Sequence, residues 1–406
     1  MLAVVRSGSW LTWERLRVYS IMIGGFGVIG LMSLWCSGTG LNDRFGKPIG
    51  TDFSGVWTAG RMVLAGDTLG LFDAERHVAF QRTLFGPDTN YYSWLYPPFL
   101  LAVAVPLALL PYVAALLVWQ GTTLALFVHT IRAIAPRHGL VIPLALGFPA
   151  VVVTLGHGHN AFLTASLLGL GLLLLDRRPL VAGVCIGLLA YKPQFGIVLP
   201  FVLVLGGHWR AIAAATATVV AMVALTTIAF GPEVWPAFLD GTSFTRHVIL
   251  ENGTTGWHKI QSVFAGVRGW GGSIGLAYAI QAIATGIVLA ALATLVWLKA
   301  DRRLTAAATA LGVLLATPYV LDYDLTVIGV AIAFCALHAA ERGFDPYEKS
   351  MLAALWLVPL VTRGVAQHTG LPLGCLVLCT GFAFVVARGL KTAELKSPLR
   401  WSVSHG

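Results

Sequence analysis

The chain is poor in charge. Of its 406 residues only 11% are Asp, Glu, Lys or Arg, while 57% are hydrophobic; soluble domains carry about 25% charged residues. So few charges cannot keep a water-facing surface solvated, which excludes a soluble globular protein and requires lipid over much of the surface. Acid is scarcer than base, with 18 Asp and Glu against 27 Lys and Arg and a formal net charge of +9. Their placement excludes nucleic-acid binding as the reason. The basic residues fall in short clusters between apolar stretches, at Arg15/Arg17, Arg132/Arg137, Arg177/Arg178, Lys299/Arg302/Arg303 and Arg388/Lys391. That is the pattern of span ends on the cytoplasmic side of a membrane. Cysteine is scarce too. The five (Cys36, Cys185, Cys335, Cys375, Cys379) are scattered and mostly sit inside apolar runs, so they form neither a metal spacing nor a disulfide framework and read as packing residues. Internal repeats and low-complexity segments are lacking, and this length leaves no room for a second large soluble domain. Residues 1–406 read as one transmembrane domain.

What the chain has in quantity is apolar runs. Crossing a hydrocarbon core of about 30 Å takes about 20 helical residues. Candidate spans lie at 18–36, 97–110, 112–131, 140–155, 161–175, 180–191, 194–206, 210–230, 274–298, 304–319, 325–340, 350–366 and 371–388. The first follows Arg15 and Arg17 as a signal peptide would, but it exceeds the roughly 7–15 residues of a signal core and lacks a small-residue cleavage site; it reads as a permanent span. The expected fold is all-α and integral to the membrane, a polytopic bundle of about eleven to thirteen transmembrane or re-entrant helices. The stretches 97–110 and 180–191 are short, and they abut Tyr96-Pro97-Pro98 and Lys192-Pro193. Broken backbone at membrane depth is tolerated only where protein buries it or a cavity runs past it, so both places are candidate site positions.

The basic clusters orient the chain. They place 37–96, 231–273 and Lys192 on the outer side. Region 97–139 does not close: two passes there would leave Arg177/Arg178 on the wrong face, so either 97–110 is re-entrant or one span is miscounted. The first outer loop carries two helix-like stretches, 53–65 and 73–84, the second with Asp73 as N-cap. Their aromatics, Trp57 and Phe80 among them, suit the membrane interface.

Several residues have the chemistry for a site. Asp52 lies just past the first span; a carboxylate there suits a general base for a sugar hydroxyl and equally an N-cap for 53–65. Lys192, between two apolar helices, suits a lipid-linked phosphate or a lysine snorkelling to the headgroups. The run Gly156-His157-Gly158-His159-Asn160 interrupts an apolar stretch. No Asp, Glu or Cys stands beside it to complete a metal set, which leaves hydrogen bonding to a sugar or pyrophosphate, or a polar hairpin tip. Asp322-Tyr323-Asp324 sits at a span end, where a cavity-facing carboxylate is a better reading of the D-x-D spacing than nucleotide-sugar binding, and a helix cap is the alternative. In the second outer loop Trp257 suits stacking on a sugar, with His258 beside it and Lys259 or Arg246 for phosphate; interfacial anchoring explains Trp257 and Lys259 as well.

Taken in order, Asp52-Phe53 with Trp57 and Ala59, Tyr96-Pro97-Pro98-Phe99, the run Pro106 to Tyr112, Trp119, His159-Asn160, Tyr191-Lys192-Pro193-Gln194, and Ala316-Thr317-Pro318-Tyr319 with Asp324 resemble glycosyltransferase family 87 over about residues 18–340. The resemblance implies a GT-C fold in a bacterial inner membrane, with the active site facing outward. It implies a polyprenyl-phosphate sugar as donor, a glycolipid or glycan as acceptor, mannose as the favoured sugar, surrounding membrane lipid, and neither metal nor nucleotide cofactor. By the same resemblance Asp52 is the catalytic base and Lys192, with Arg61 or Lys259, receives the phosphate. Tyr96, His159, Asn160, Gln194, Trp257, His258 and Asp324 shape the substrate pocket. The family often carries Gln where His159 stands and His where Tyr319 stands. The competing class is a lipid or sugar transporter, which would share the many spans and broken helices; transporters usually show an internal repeat.

Overall fold

The computed structural model describes residues 2–136 and 139–394, and Arg137 of the second basic cluster lies outside them. Every regular element among the described residues is helical, with β contact limited to isolated bridges. The chain is a polytopic helical membrane protein. A short helix α1 (Leu2–Ser7) precedes α2 (Trp13–Cys36), which begins where the Thr12 side chain accepts the Arg15 amide. Only Ser20 of α2 is buried. A helix apolar all round and open on nearly every face belongs at the lipid boundary.

Two short helices follow, α3 (Thr51–Leu64) and α4 (Ala74–Phe85), close to the expected stretches. Asp73 caps α4 as expected, accepting the Arg76 amide at 2.9 Å. The next helix, α5 (Leu101–Ala108), settles the topology of 97–139. It lies against α3 so closely that a Cβ on Gly60 would stand 2.3 Å from the Ala104 carbonyl oxygen. Both of its flanks stay at the end of the molecule that carries the loops. Phe99 packs edge-on against Trp235, and the Trp57 indole donates to the Leu110 carbonyl at 3.2 Å. α5 therefore does not cross. The crossing is made by α6 (Tyr112–Ile134), whose first residue donates its hydroxyl to the Ile49 carbonyl. With one pass instead of two, Arg177 and Arg178 join the other basic clusters; neighbouring Asp176 pairs with Arg302 at 2.9 Å.

The chain returns through α7 (Val141–Leu146) and α8 (Pro149–His157). α9 (Ala161–Leu174), α10 (Pro179–Leu188) and α11 (Val198–Leu205) are short, the last two joined by tight 3-10 turns around Lys192. α12 (Trp209–Phe230) leads to the second loop segment, which holds α13 (Val234–Phe244) and α14 (Val263–Gly269). The rest is α15 (Ile274–Trp297), α16 (Arg302–Leu315), α17 (Ile328–Arg342), α18 (Glu348–Thr369) and α19 (Leu373–Glu394). Among the described residues seven helices are long and apolar enough to cross a membrane, and shorter apolar ones at Pro98–Ala108, Ala161–Leu174, Pro179–Tyr191 and Pro193–Leu205 accompany them. α17 and the turn before it form the centre, 72% buried, whereas α2 and α12 are peripheral at 6% and 11%.

Small residues set the tightest helix contacts, because hydrocarbon around the bundle gives apolar side chains no reason to prefer protein over lipid. A Cβ on Gly183 of α10 would lie 2.3 Å from the Ala211 carbonyl oxygen of α12, and one on Gly187 would lie 2.7 Å from that of Ala215. Backbone cannot yield as a flexible side chain does. Gly183→Leu is accordingly expected to part α10 from α12 and to cost about 1–3 kcal/mol. Thermal unfolding of the purified protein reads this as a lowered midpoint; an unchanged midpoint would show that the two helices do not depend on this contact.

Candidate active site

Helix α3 starts at Gly50, which has φ +68 and no side-chain cap. Asp52 therefore lies inside the first turn, and the N-cap reading of Asp52 is corrected. Its carboxylate is left free. Opposite stands Gly158, with φ +63, where a Cβ would be 2.6 Å from the Phe53 Cβ; a Cβ on Gly50 would be 3.6 Å from the Gly158 Cα. Two left-handed turns thus meet back to back, a conformation and a closeness open only to glycine. They bring α8's last residue to α3's first: His157 Nδ1 lies 2.9 Å from the Thr51 hydroxyl and 3.9 Å from Asp52 Oδ2.

Protein surrounds Asp52, yet 30% of its side-chain surface remains open. Burial raises its pKa above the ordinary carboxylate range; His157 and Lys259 oppose the rise, and Asp322 and Asp324 add to it. Burial outweighs the rest, including the favourable N-terminal end of α3.

An aromatic layer lies beside this carboxylate. Tyr96 Oη is 3.0 Å from His159 Nε2. The His159 ring stacks on Tyr323 at 3.5 Å, and His157 meets the same ring edge-on at 5.4 Å. Gln120 donates to the His159 carbonyl at 3.1 Å. Asn160, next in the chain, is 3% exposed. Neither its amide oxygen nor its amide nitrogen has a hydrogen-bond partner among the described residues. An unmet buried polar group costs about 1–3 kcal/mol, and such exceptions mark places where a ligand or water completes the pairing.

The charges sort differently from expectation. Lys192 neither snorkels nor stands free: it is 3% exposed and its ammonium donates to Asp324 Oδ1 at 2.5 Å. Asp324's other oxygen accepts the Leu321 amide at 3.0 Å, so it is a buried cap and counter-ion and not an open carboxylate. Asp322 accepts the Tyr323 amide and pairs with Arg363 of α18 at 3.3 Å. Lys259 is half-buried, its pKa lowered by burial first and by Arg363 next, with Asp322 and Asp52 opposing. His258 borders the same group; burial lowers its pKa, helped by Arg363 and Lys259.

Three expected site residues are not gathered there. Arg61 is exposed and lies over the Trp57 ring at 5.5 Å, more than two helical turns from Asp52. Trp257 donates its indole N–H to the Leu250 carbonyl, and one ring face is covered by Arg268 at 4.7 Å. Gln194 is half-buried on the turn after Lys192, with no hydrogen bond among the described residues. Conversely, His157, Tyr323 and Arg363 join the group although none was singled out as a site residue. The first two were visible as members of polar runs, whereas Arg363 has no motif around it.

A model of glycosyltransferase family 87 matches residues 94–321, more than half of the chain. The protein belongs to glycosyltransferase family 87. It is thus a membrane glycosyltransferase by family membership. No curated protein and no solved structure matches it. The matched segment takes in Tyr96, His159, Asn160, Lys192 and Lys259, and it leaves out Asp52, Asp324 and Arg363.

The ion pair of this glycosyltransferase predicts an asymmetry. Removing one partner of a buried pair strands the other charge and costs about 3–5 kcal/mol, whereas replacing both by apolar residues is often neutral. Lys192→Met should therefore unfold more easily than the double variant Lys192→Met/Asp324→Leu. Denaturant midpoints decide it: equal loss in both would mean that the pair is not what holds these two turns together.

Proposed function

We propose that this glycosyltransferase moves a hexose or pentose, mannose first, from a polyprenyl-phosphate sugar to a hydroxyl of an envelope glycolipid or glycan, with inversion. The observation that carries the reading is the state of the three carboxylates. Asp324 and Asp322 are engaged by Lys192 and Arg363, while Asp52 stays open with only His157 beside it. In the reaction the acceptor hydroxyl gives its proton to Asp52 as its oxygen bonds to the anomeric carbon. The bond from that carbon to the phosphate oxygen breaks, and the lipid phosphate leaves with the electron pair. A cation is needed where that charge grows. Lys259, with Arg363, now suits this task better than Lys192, whose charge is already matched.

In this reading Asn160 and His159 meet sugar hydroxyls, supported by the Asn160 amide, unpartnered among the described residues, while Tyr96 holds the His159 ring. Lys192 acts as a positioning residue through Asp324. Gln194 remains a contact residue in this reading, whereas Arg61 is dropped and Trp257 offers at most one free face. The basic clusters at the end away from Asp52 support an active site on the outer face of a bacterial inner membrane. The donor arrives there already activated, so no nucleotide is required.

Transfer of radiolabelled sugar from a panel of polyprenyl-phosphate sugars into membrane lipid, with Asp52→Ala as control, tests the reading. Loss of about 10²–10⁴-fold is expected for a general base. If neither protein transfers sugar while the wild type moves a lipid or sugar across liposome membranes, the protein is a transporter. A base must be deprotonated, so the rate should rise with pH through a midpoint above the ordinary carboxylate range. Stability should run the other way. A carboxyl with a raised folded-state pKa stabilises the fold at low pH and loses that contribution as pH rises through the raised value. Asp52→Asn should thus abolish transfer while raising the thermal midpoint at neutral pH; a lowered midpoint would contradict the assigned burial.

A further inference from the structure

A second cavity lies away from Asp52, in the cleft between the two loop segments. It has a volume of about 350 Å³ and is walled by Phe72, Tyr91, Trp94 and Phe238, with Asp73 and Asp240 at its polar side. None of these belongs to the group around Asp52, but the two are joined. Trp94 meets Tyr96 edge-on at 5.5 Å, and Tyr96 holds His159. Phe72 meets Phe238 edge-on at 6.4 Å, so both loop segments contribute to the cavity wall.

The lining selects by chemistry. Aromatic faces match the C–H faces of a pyranose or furanose ring, and carboxylates accept hydrogen bonds from its hydroxyls. Among the described residues no Lys or Arg lines the cavity, so a phosphate or uronate would meet the two negative charges there without a lining cation. A polyprenyl chain would bury Asp73 and Asp240 against hydrocarbon, which is costly. Asp73 gives one oxygen to the Arg76 amide, whereas the Asp240 carboxylate has no partner among the described residues. Trp94 is only 5% exposed, and its indole N–H likewise lacks a partner there. The volume falls at the small end of ligand cavities, about 300–1,000 Å³, as suits a sugar unit more than a lipid.

We propose that this cavity is an acceptor subsite for an uncharged sugar residue, one that precedes the glycosylated hydroxyl in the acceptor. Resting on the reading of the protein as a glycosyltransferase with Asp52 as base, this makes it an extender of existing glycans, not one that glycosylates a bare lipid headgroup. The acceptor glycan enters between the loop segments, leaves one ring among the aromatics, and presents the next toward Tyr96 and Asp52.

The test uses the full-length protein in lipid nanodiscs and saturation-transfer NMR. The probes are methyl glycosides of neutral disaccharides (gluco, manno, galacto and arabino), with methyl glucuronide as the anionic comparison. At least one neutral disaccharide should bind wild type and Asp52→Asn alike. Its affinity should fall tenfold or more in Asp240→Lys and in Thr242→Trp, both changes at exposed positions of the cavity wall. The glucuronide should bind more weakly than the neutral probe. Binding that ignores both cavity variants, a preference for the glucuronide, or no binding by any neutral probe would each overturn the subsite. The radiolabel assay keeps the two readings apart. Transfer that depends on Asp52 but is indifferent to Asp240→Lys removes the subsite alone. Neutral-sugar binding that responds to Asp240→Lys without any transfer removes the glycosyltransferase mechanism and leaves a sugar-binding cavity.

Discussion

The buried contact between Lys192 and Asp324 is the constraint on which the site depends. Each residue sits at a break in helix, Lys192 between α10 and α11 and Asp324 in the 3-10 turn before α17. A break leaves backbone groups without helical partners, and lipid offers none. Asp324 answers both needs with its two oxygens, one on the Lys192 ammonium and one on the Leu321 amide. Neither charge is tolerable at this depth alone. Together they turn two weaknesses of the bundle into one joint, and Tyr323, lying between Asp322 and Asp324, is held in place by it.

From that joint the geometry passes outward through rings. Tyr323 stacks on His159 and touches His157; His159 is held by Tyr96; His157 meets Thr51 and Asp52. Each contact is short-range and directional, so the orientation of Asp52 is tied to an ion pair it does not touch. The glycine pair Gly50 and Gly158 supplies what rings cannot, a backbone approach close enough to bring two turns together. Rigid support of this kind suits the general-base role proposed for Asp52, since misplacement by about 1 Å can cost about 10²-fold in rate.

Much of this was legible in the sequence. Scarcity of charge, apolar runs and basic clusters read directly as a polytopic helical membrane protein, because those signals are local or periodic. Asp52, Tyr96, His159 and Lys192 were singled out by the breaks and motifs around them. Their partners were not. Lys192 reads as a phosphate anchor or a snorkelling lysine because its counter-ion lies 132 residues away, and no local pattern announces a tertiary pairing. Asp52 reads as a cap as readily as a base because a carboxylate ahead of a helical stretch is usually a cap; the N-cap is instead Gly50, which offers no side chain to the first amides. Arg363 sits in an ordinary apolar helix, and only its contact with Asp322 distinguishes it. Span counting left 97–110 open between a re-entrant helix and a miscount, because hydropathy measures what a segment is made of, not whether a neighbour such as α3 holds it at one end.

The contact between Arg363 and Asp322 also bears on the order of synthesis. Asp52 leaves the ribosome early, whereas Arg363 lies on α18, the penultimate helix. Gln261 of the second loop segment is tied to the same helix through Thr362, at 2.6 Å. Until α18 has entered the membrane, the second loop lacks its tie to Thr362 and Asp322 lacks its counter-charge, so a partly inserted chain carries Asp52 without the Arg363 contact beside it. The group around Asp52 is thus completed late, and a chain truncated before α18 holds the whole matched family segment without Thr362 and Arg363.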